Sequence, residues 1–197
     1  HLPLERDSEF YGYSLALGAA DMDLLSLTNA YRALANGGHY SALSWNQDEL
    51  PAVEKVEVFS PEAAWIIGHI LSDREARSYT FGLDSVLTTP FWSAVKTGTS
   101  KDMRDNWTVG WSEHYTVGVW VGNSDGSSMQ NVLGVSGSGP IWHDVMRYLH
   151  RQRDSNASSK PEQIAVETVQ FVGVDEAMRR EYFLSGTEMK QLVALVS

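Results

Sequence analysis

The sequence predicts an α+β fold in which one antiparallel sheet is flanked by helices. Strand-like segments are concentrated between residues 91 and 122, segments with helical periodicity precede and follow them, and short polar turns separate the strands. At 197 residues, 43% of them hydrophobic, the chain is long enough for one compact domain and the beginning of a second.

The first helix is predicted over residues 24–34. Its apolar residues recur at a spacing of three and four, and the glycine-containing residues 36–38 supply a left-handed stop. Asp21 or Asp23 is expected to cap its start, because a carboxylate at that position accepts a backbone N–H. Residues 1–20, which are punctuated by glycine and aromatic residues, are predicted to form a loop.

Two more helices carry start signals of their own. Ser60 followed by Pro61 is typical of a cap and a first turn, and the apolar residues 65–71 predict a well-buried helix after them. Gly139 and Pro140 open the last helix, which is expected to pack on the sheet. Its predicted inner face comprises Ile141, Trp142, Val145, Met146 and Leu149.

The sheet is predicted to contain three adjacent antiparallel strands. The first includes residues 96–99, and residues 107–111 and 115–121 form a hairpin whose turn is residues 112–114. The apolar residues of these segments alternate with small and polar ones, as the two faces of a strand require.

A domain boundary is predicted near residue 158. Residues 154–161 have the polar, serine-rich composition of a linker, so residues 1–157 and 158–197 are assigned to separate domains. In the second domain, residues 164–171 have the pattern of a strand, whereas the apolar run 192–196 has no evident partner.

Composition excludes several classes of function. The net charge of −10 and the isoelectric point near 4.9 argue against a nucleic-acid partner. The absence of cysteine rules out thiolate zinc sites, disulfides and a cysteine nucleophile, and it fits an oxidising compartment. No segment approaches the roughly 18 to 20 apolar residues that span a bilayer. Neither a metal nor a cofactor is expected. Because the first residue is His1 and not methionine, the chain is expected to begin inside a longer one.

The tetrapeptide Lys96-Thr97-Gly98-Thr99 is the candidate functional site. Along a strand, Lys96 and Gly98 share one face, and Thr97 and Thr99 share the other. A lysine ammonium beside threonine hydroxyls is suited to bind a substrate carboxylate through charge-assisted hydrogen bonds. Gly98 leaves room for a flat acyl group, and the backbone N–H of Thr99 is suited to stabilise an oxyanion.

This tetrapeptide begins a longer segment that resembles a known family. Residues 96–123, KTGTSKDMRDNWTVGWSEHYTVGVWVGN, resemble the third motif and the following hairpin of the transpeptidase domain of class A penicillin-binding proteins. Supporting matches are YGYSLALG at 11–18, LTNAYRALANGG at 27–38, SPEAAW at 60–65 and GPIW at 139–142. Residues 182–187, YFLSGT, resemble the start of the small C-terminal domain of such proteins.

The resemblance implies a β-lactamase/transpeptidase-like fold, of which residues 1–157 are the C-terminal half, followed by the start of a small β domain. It also implies a serine D,D-transpeptidase that cross-links the peptide stems of peptidoglycan and binds β-lactams. Lys96 and Thr99 would be catalytic, and Thr97, Gly98 and Thr99 would bind substrate. In the family, the Ser-x-x-Lys nucleophile and the Ser-x-Asn element lie upstream of the segment that begins at Tyr11. This chain is therefore expected to contain no nucleophile and to be inactive alone.

The implied parent protein is periplasmic, is anchored in the bacterial inner membrane and carries a peptidoglycan glycosyltransferase domain upstream. Its partners would be peptidoglycan stem peptides, β-lactams and the missing N-terminal part of the transpeptidase domain.

Two formal matches to the missing motifs are not expected to function. Ser93 and Lys96 point to opposite faces of a strand, and Ser44-Trp45-Asn46 follows the helix stop in a loop.

Two other functions stay open from the sequence. A serine β-lactamase-like hydrolase shares the Lys-Thr-Gly triplet, although the C-terminal linker and second domain count against it. A non-catalytic fragment that binds peptidoglycan or an envelope partner fits the missing nucleophile.

Overall fold

The computed structural model describes residues 7–18, 20–45, 54–82, 85–130 and 132–193 of the chain. The elements in chain order are α1 (Ser8–Tyr11), α2 (Leu24–Ala35), β1 (His39–Tyr40), β2 (Val56–Glu57), α3 (Pro61–Ser72), α4 (Arg74–Phe81), β3 (Ala94–Thr99), β4 (Asp105–Trp111), β5 (Thr116–Gly122), α5 (Ser138–Leu149), β6 (Ile164–Val172), β7 (Arg179–Leu184) and β8 (Gln191–Val193). The predicted α+β fold is confirmed. No helix in the described ranges is long and apolar enough to cross a membrane.

The central sheet has the strand order β3-β4-β5, and both pairs are antiparallel, as the hairpin prediction requires. Helix α5 packs on one face, where Gly110 lies against the indole of Trp142. Helices α2 and α3 pack on the other face, where Gly118 approaches Thr28 of α2 and Gly68 of α3 approaches Trp111. The main core lies between α5 and the sheet, and its buried residues are Leu87, Phe91, Val95, Trp142 and Met146.

Helices α2 and α3 begin where their capping residues predict. Asp23 is the N-cap of α2 and accepts the N–H of Ser26 at 2.8 Å, so it, and not Asp21, is the cap. Ser60 caps α3 by accepting the N–H of Ala63 at 3.2 Å, with Pro61 as the first helical residue. These signals are local, and local chemistry is sufficient to fix both starts.

The prediction of a loop over residues 1–20 is wrong within the described part. Helix α1 is followed by a 3₁₀ helix at Gly12–Leu17, and Asp7 accepts the N–H of Phe10 at 3.0 Å at the start. Helix α4 was not predicted, because its sequence is polar and shows no apolar stripe. It begins at Asp73, whose carboxylate accepts the N–H of Ala76 at 2.9 Å.

The predicted burial of α3 and α5 is only partly correct. In α3 the buried residues are Ala64 and Gly68, whereas Ile70 is 57% exposed. The small residues let the helix approach Trp111 closely, which turns the larger apolar side chains outward. In α5, Trp142 is fully buried, while Ile141 is 49% exposed, so the sheet covers a narrower stripe than the apolar pattern predicts.

The C-terminal residues form a second three-stranded sheet with the order β7-β6-β8. Strand β6 pairs antiparallel with β7 and parallel with β8, where Leu192 lies opposite Phe171. The apolar run that begins at residue 192 therefore has a partner, contrary to the prediction, and its residues 194–196 lie outside the described part. The ring of Tyr182 contacts those of Trp65 and His69 on α3, at 5.1 and 4.6 Å between centroids. The division into domains near residue 158 stays a prediction.

Candidate functional site

The tetrapeptide 96–99 forms the last four residues of β3, which is an edge strand of the described central sheet. Lys96 lies opposite Val109 of β4, and Thr99 lies opposite Asn106. The second edge of β3 has no strand partner within the described ranges. The motif therefore lies along an open edge, which is where backbone groups are available to a ligand.

The hydrogen-bond pattern of the β3–β4 pair fixes which backbone groups face this edge. Ser100 continues the ladder by donating its N–H to the carbonyl of Asp105 at 2.9 Å. Because successive residues of an antiparallel strand direct their backbone groups to alternate sides, those of Lys96 and Gly98 point to β4. The N–H and C=O groups of Thr97 and Thr99 consequently point to the open edge.

The side chain of Lys96 is exposed and bends toward the same edge. Its Nζ donates to the carbonyl oxygen of Thr97 at 2.5 Å, and it forms no ion pair within the part of the chain that the structure describes. An exposed ammonium whose one hydrogen bond in the described ranges goes to a neighbouring carbonyl is accessible to an anionic group from outside.

The two threonines lie on the face opposite Lys96, as predicted from strand alternation, but their hydroxyls differ. Thr99 Oγ1 accepts the backbone N–H of Gly134 at 3.0 Å. The hydroxyl of Thr97 makes no hydrogen bond in the described ranges, and its Cβ lies near Gly134. The hydroxyl of Thr97 is therefore the one of the two without a hydrogen-bond partner in the described ranges. Sequence reasoning did not find Gly134, because it is 35 residues away and no pattern links the two positions.

The turn between β3 and β4 is held by Asp105. Its two carboxylate oxygens accept from Ser100 Oγ at 2.8 Å and from Trp120 Nε1 at 2.9 Å. Asp102 and Met103 within this turn have φ values of 60° and 53°, a left-handed conformation that is uncommon for residues other than glycine. The end of the motif is thus connected to a constrained turn.

The two formal matches to catalytic serine motifs do not assemble a site in the described part. Ser93 is buried, and its hydroxyl is hydrogen-bonded to that of Thr89 at 2.8 Å rather than to Lys96. Ser44 is exposed after β1, and Asn46 lies outside the described residues. No cluster of three or more histidine or carboxylate side chains suited to a metal occurs in the ranges that the structure describes.

Two cavities in the described part lie away from the motif. One, of about 410 Å³, lies between α3, the β4–β5 turn and the linker, and Trp65, Trp92 and Trp111 are among its lining residues. The other, of about 430 Å³, is lined by Arg32, Asn36, His39, Ser41 and Lys55. Neither includes residues 96–99, so the motif forms an open edge and not the wall of either cavity.

Comparison with known proteins agrees with this architecture. The family model of the penicillin binding protein transpeptidase domain matches residues 4–147. Penicillin-binding protein 1C of Escherichia coli (strain K12) is 34% identical over 148 residues, which cover 75% of this chain and 18% of that protein. Penicillin-binding protein 1A of Clostridium botulinum is 27% identical over 184 residues, which cover 85% of this chain and 21% of that protein.

The fold also matches a solved structure. Penicillin-binding protein 1A from Haemophilus influenzae superposes with a TM-score of 0.72 at 19% identity, covering 89% of this chain and 34% of that one. The chain spans only 18% to 21% of the length of the two curated relatives given above. On the family match over most of its length, the chain belongs to the penicillin-binding protein transpeptidase family.

Proposed function

We propose that this chain provides the substrate-holding strand of a serine D,D-transpeptidase that cross-links peptidoglycan stem peptides. The observation that carries the proposal is the open edge of β3. There, an exposed ammonium without an ion-pair partner in the described part lies beside the outward N–H groups of Thr97 and Thr99. Membership of the transpeptidase family supports the assignment of these groups to acyl transfer.

Each group has a distinct role in this proposal. Lys96 Nζ and the free hydroxyl of Thr97 bind the terminal carboxylate of the donor peptide, because hydrogen bonds to charged groups are about twice as strong as neutral ones. The N–H of Thr99 donates to the carbonyl oxygen as it becomes an oxyanion, where one such donor is worth roughly 3 kcal/mol. Gly98 lets the acyl group approach the strand.

The covalent step requires a serine that this chain is proposed not to supply. That serine attacks the penultimate D-alanyl carbonyl of the donor stem, and the terminal D-alanine leaves with a proton as the acyl-enzyme forms. The amine of an acceptor stem then displaces the serine. We place this activity in a periplasmic protein that is anchored in the inner membrane and carries an upstream glycosyltransferase domain.

Covalent labelling with fluorescent penicillin tests the proposal. A protein that joins this chain to the nucleophile-bearing part of its transpeptidase domain should be labelled, whereas this chain alone should not be. Lys96→Met should slow labelling of the longer protein by about tenfold to a hundredfold, the equivalent of one charged hydrogen bond. Lys101→Met, which removes another exposed lysine five residues away, serves as the matched control and should leave the rate unchanged.

The outcomes separate the alternatives. Labelling of this chain alone would contradict the assignment of the nucleophile to another segment. Rapid turnover of penicillin in place of a stable adduct would favour a β-lactamase-like hydrolase. Saturable binding of stem peptides to this chain that Lys96→Met weakens, together with no labelling of the longer protein, would favour a non-catalytic binding role.

A further inference from the structure

We infer that residues 132–138, the segment that leads into α5, act as a clamp that sets the position of Thr99, and that Thr108 and Ser138 are positioning residues. This segment is called the clamp below. The inference rests on the proposed function, in which the N–H of Thr99 must point at a reacting carbonyl. Thr108 and Ser138 would then influence the reaction through Thr99, without binding the substrate themselves.

The clamp contacts the motif directly at Gly134. The N–H of Gly134 donates to Thr99 Oγ1 at 3.0 Å. A Cβ at this position would lie 2.9 Å from the carbonyl oxygen of Gly98, 3.1 Å from that of Trp107 and 3.2 Å from Cβ of Thr97. Gly134 is therefore seated on the β3–β4 pair at the motif itself, at a distance that only glycine permits.

A layer of buried polar side chains holds Gly134 in place. Thr108 Oγ1 is hydrogen-bonded to Ser138 Oγ at 2.7 Å, and Ser138 Oγ donates to the carbonyl oxygen of Gly134 at 3.1 Å. Asn106 Nδ2 donates to the carbonyl oxygen of Val132 at 3.1 Å. Asn106, Thr108 and Ser138 are each 0% exposed.

Stability alone does not account for this layer. Buried polar groups are costly unless they are paired, and Asn106 Oδ1 is buried without a hydrogen-bond partner in the described part. Apolar side chains of similar size would fill the same space without that penalty. A hydrogen-bonded network also fixes the orientation of the groups that it joins, because each hydrogen bond requires a particular distance and angle.

The direction matters at Thr99. Its backbone N–H points outward at the open edge of β3. Any rotation of the last residues of the strand would therefore change the direction of this N–H. The clamp restrains those residues from the face of β3 that carries the side chains of Thr97 and Thr99. Because Ser138 is also the first residue of α5, whose Trp142 is fully buried, the restraint is anchored in the core.

Thr108→Val tests the inference, because valine keeps the shape of threonine and removes the hydroxyl. In the longer protein that contains the nucleophile, the variant should lower the rate constant of acylation by penicillin about tenfold, as expected for a displaced catalytic group. The dissociation constant of the non-covalent complex should stay within about twofold, because Lys96 and Thr97 are unchanged. Thr108→Ser should restore the rate, since serine keeps the hydroxyl.

Thr187→Val is the control, because it makes the same substitution outside the clamp, in the turn after β7. The hydroxyl of Thr187 is exposed and donates to the carbonyl oxygen of Leu184 at 2.8 Å. This variant should leave the acylation rate unchanged. Equal loss of rate in Thr187→Val and Thr108→Val, or a normal rate in Thr108→Val, would overturn the inference.

A second measurement needs no activity. In this chain, the amide of Gly134 should exchange slowly with solvent and should lose protection in Thr99→Val and in Thr108→Val, but not in Thr97→Val. Unchanged protection in Thr99→Val would refute the clamp. If the longer protein is not acylated by penicillin at all, the proposed function fails, while the exchange result still decides whether the clamp exists.

Discussion

Replacing Gly98 by alanine separates what the fold requires from what a bound acyl group requires. Among the described residues, a Cβ at this position would meet one atom within 4 Å beyond its chain neighbours, Cβ of Trp107 at 3.7 Å. That separation is ordinary van der Waals contact, and Gly98 is not among the glycines with positive φ. Nothing in the described fold therefore demands glycine here, whereas the proposed close approach of an acyl group to the strand does.

The expected change in stability follows from this geometry. Alanine at a compatible position stabilises a protein by about 0.4 to 1 kcal/mol, because it restricts the unfolded chain. Gly110→Ala is the matched contrast on the neighbouring strand. Its Cβ would lie 2.6 Å from the carbonyl oxygen of Ala94 and 2.6 Å from Cζ2 of Trp142, and neither atom can move easily. Overpacking of this kind costs about 1 to 3 kcal/mol.

Urea unfolding of this chain, followed by tryptophan fluorescence, measures both free energies. Gly98→Ala should unfold at the same urea concentration as the unsubstituted chain or at a higher one. Gly110→Ala should unfold at a lower urea concentration than the unsubstituted chain. In the longer protein, Gly98→Ala should slow acylation by penicillin by about tenfold or more, since a misplacement of about 1 Å has that effect. A fall of more than about 1 kcal/mol in the free energy of unfolding of Gly98→Ala, or an unchanged acylation rate, would contradict this role of Gly98.

Three further changes probe the framework around the site. The N–H of Asn156 holds the pKa of Glu113 below its ordinary value of 4.5, so the carboxylate stabilises the linker contact above pH 4.5. This contribution is lost as pH falls through the folded pKa, and Glu113→Gln should abolish the pH dependence of amide exchange at Asn156. Tyr182→Ala removes the ring of β7 that packs against Trp65 of α3, so the second sheet should be held less firmly on that helix. Proteolytic cleavage of the linker between residues 154 and 161 should therefore be faster. Ser60→Ala should lower the free energy of unfolding by about 1 kcal/mol and Ser60→Gly by a few tenths, both measured in urea.

What the sequence predicts correctly is what local chemistry decides. Asp23 and Ser60 mark helix starts because a cap acts within three residues, and the hairpin turn, predicted at residues 112–114 and found at 112–115, follows from alternation on both sides. The position of the motif at the end of an antiparallel strand was also predictable, since residues 96–99 continue an apolar run. Each of these features is encoded within about ten residues.

The features that sequence reasoning missed depend on contacts between distant segments. Gly134 reaches Thr99 across 35 residues, and the parallel pairing of β8 with β6 joins segments about 20 residues apart. The outward orientation of Ile70 depends on how closely Gly68 allows α3 to approach Trp111. Periodicity identifies an apolar face, but it does not say how much of that face a neighbour covers.

The two faces of β3 show where positional precision is needed. Lys96 is proposed to act through a long side chain that can adjust by rotation, and its face of the motif is exposed. Thr99 is proposed to act through a backbone N–H, whose direction no side-chain rotation can restore once the strand has shifted. The fully buried side chains of Asn106, Thr108 and Ser138 all lie on the face beneath Thr99. Lys96→Arg should therefore keep part of the acylation rate, since arginine keeps the charge, whereas loss of the layer beneath Thr99 has no such substitute.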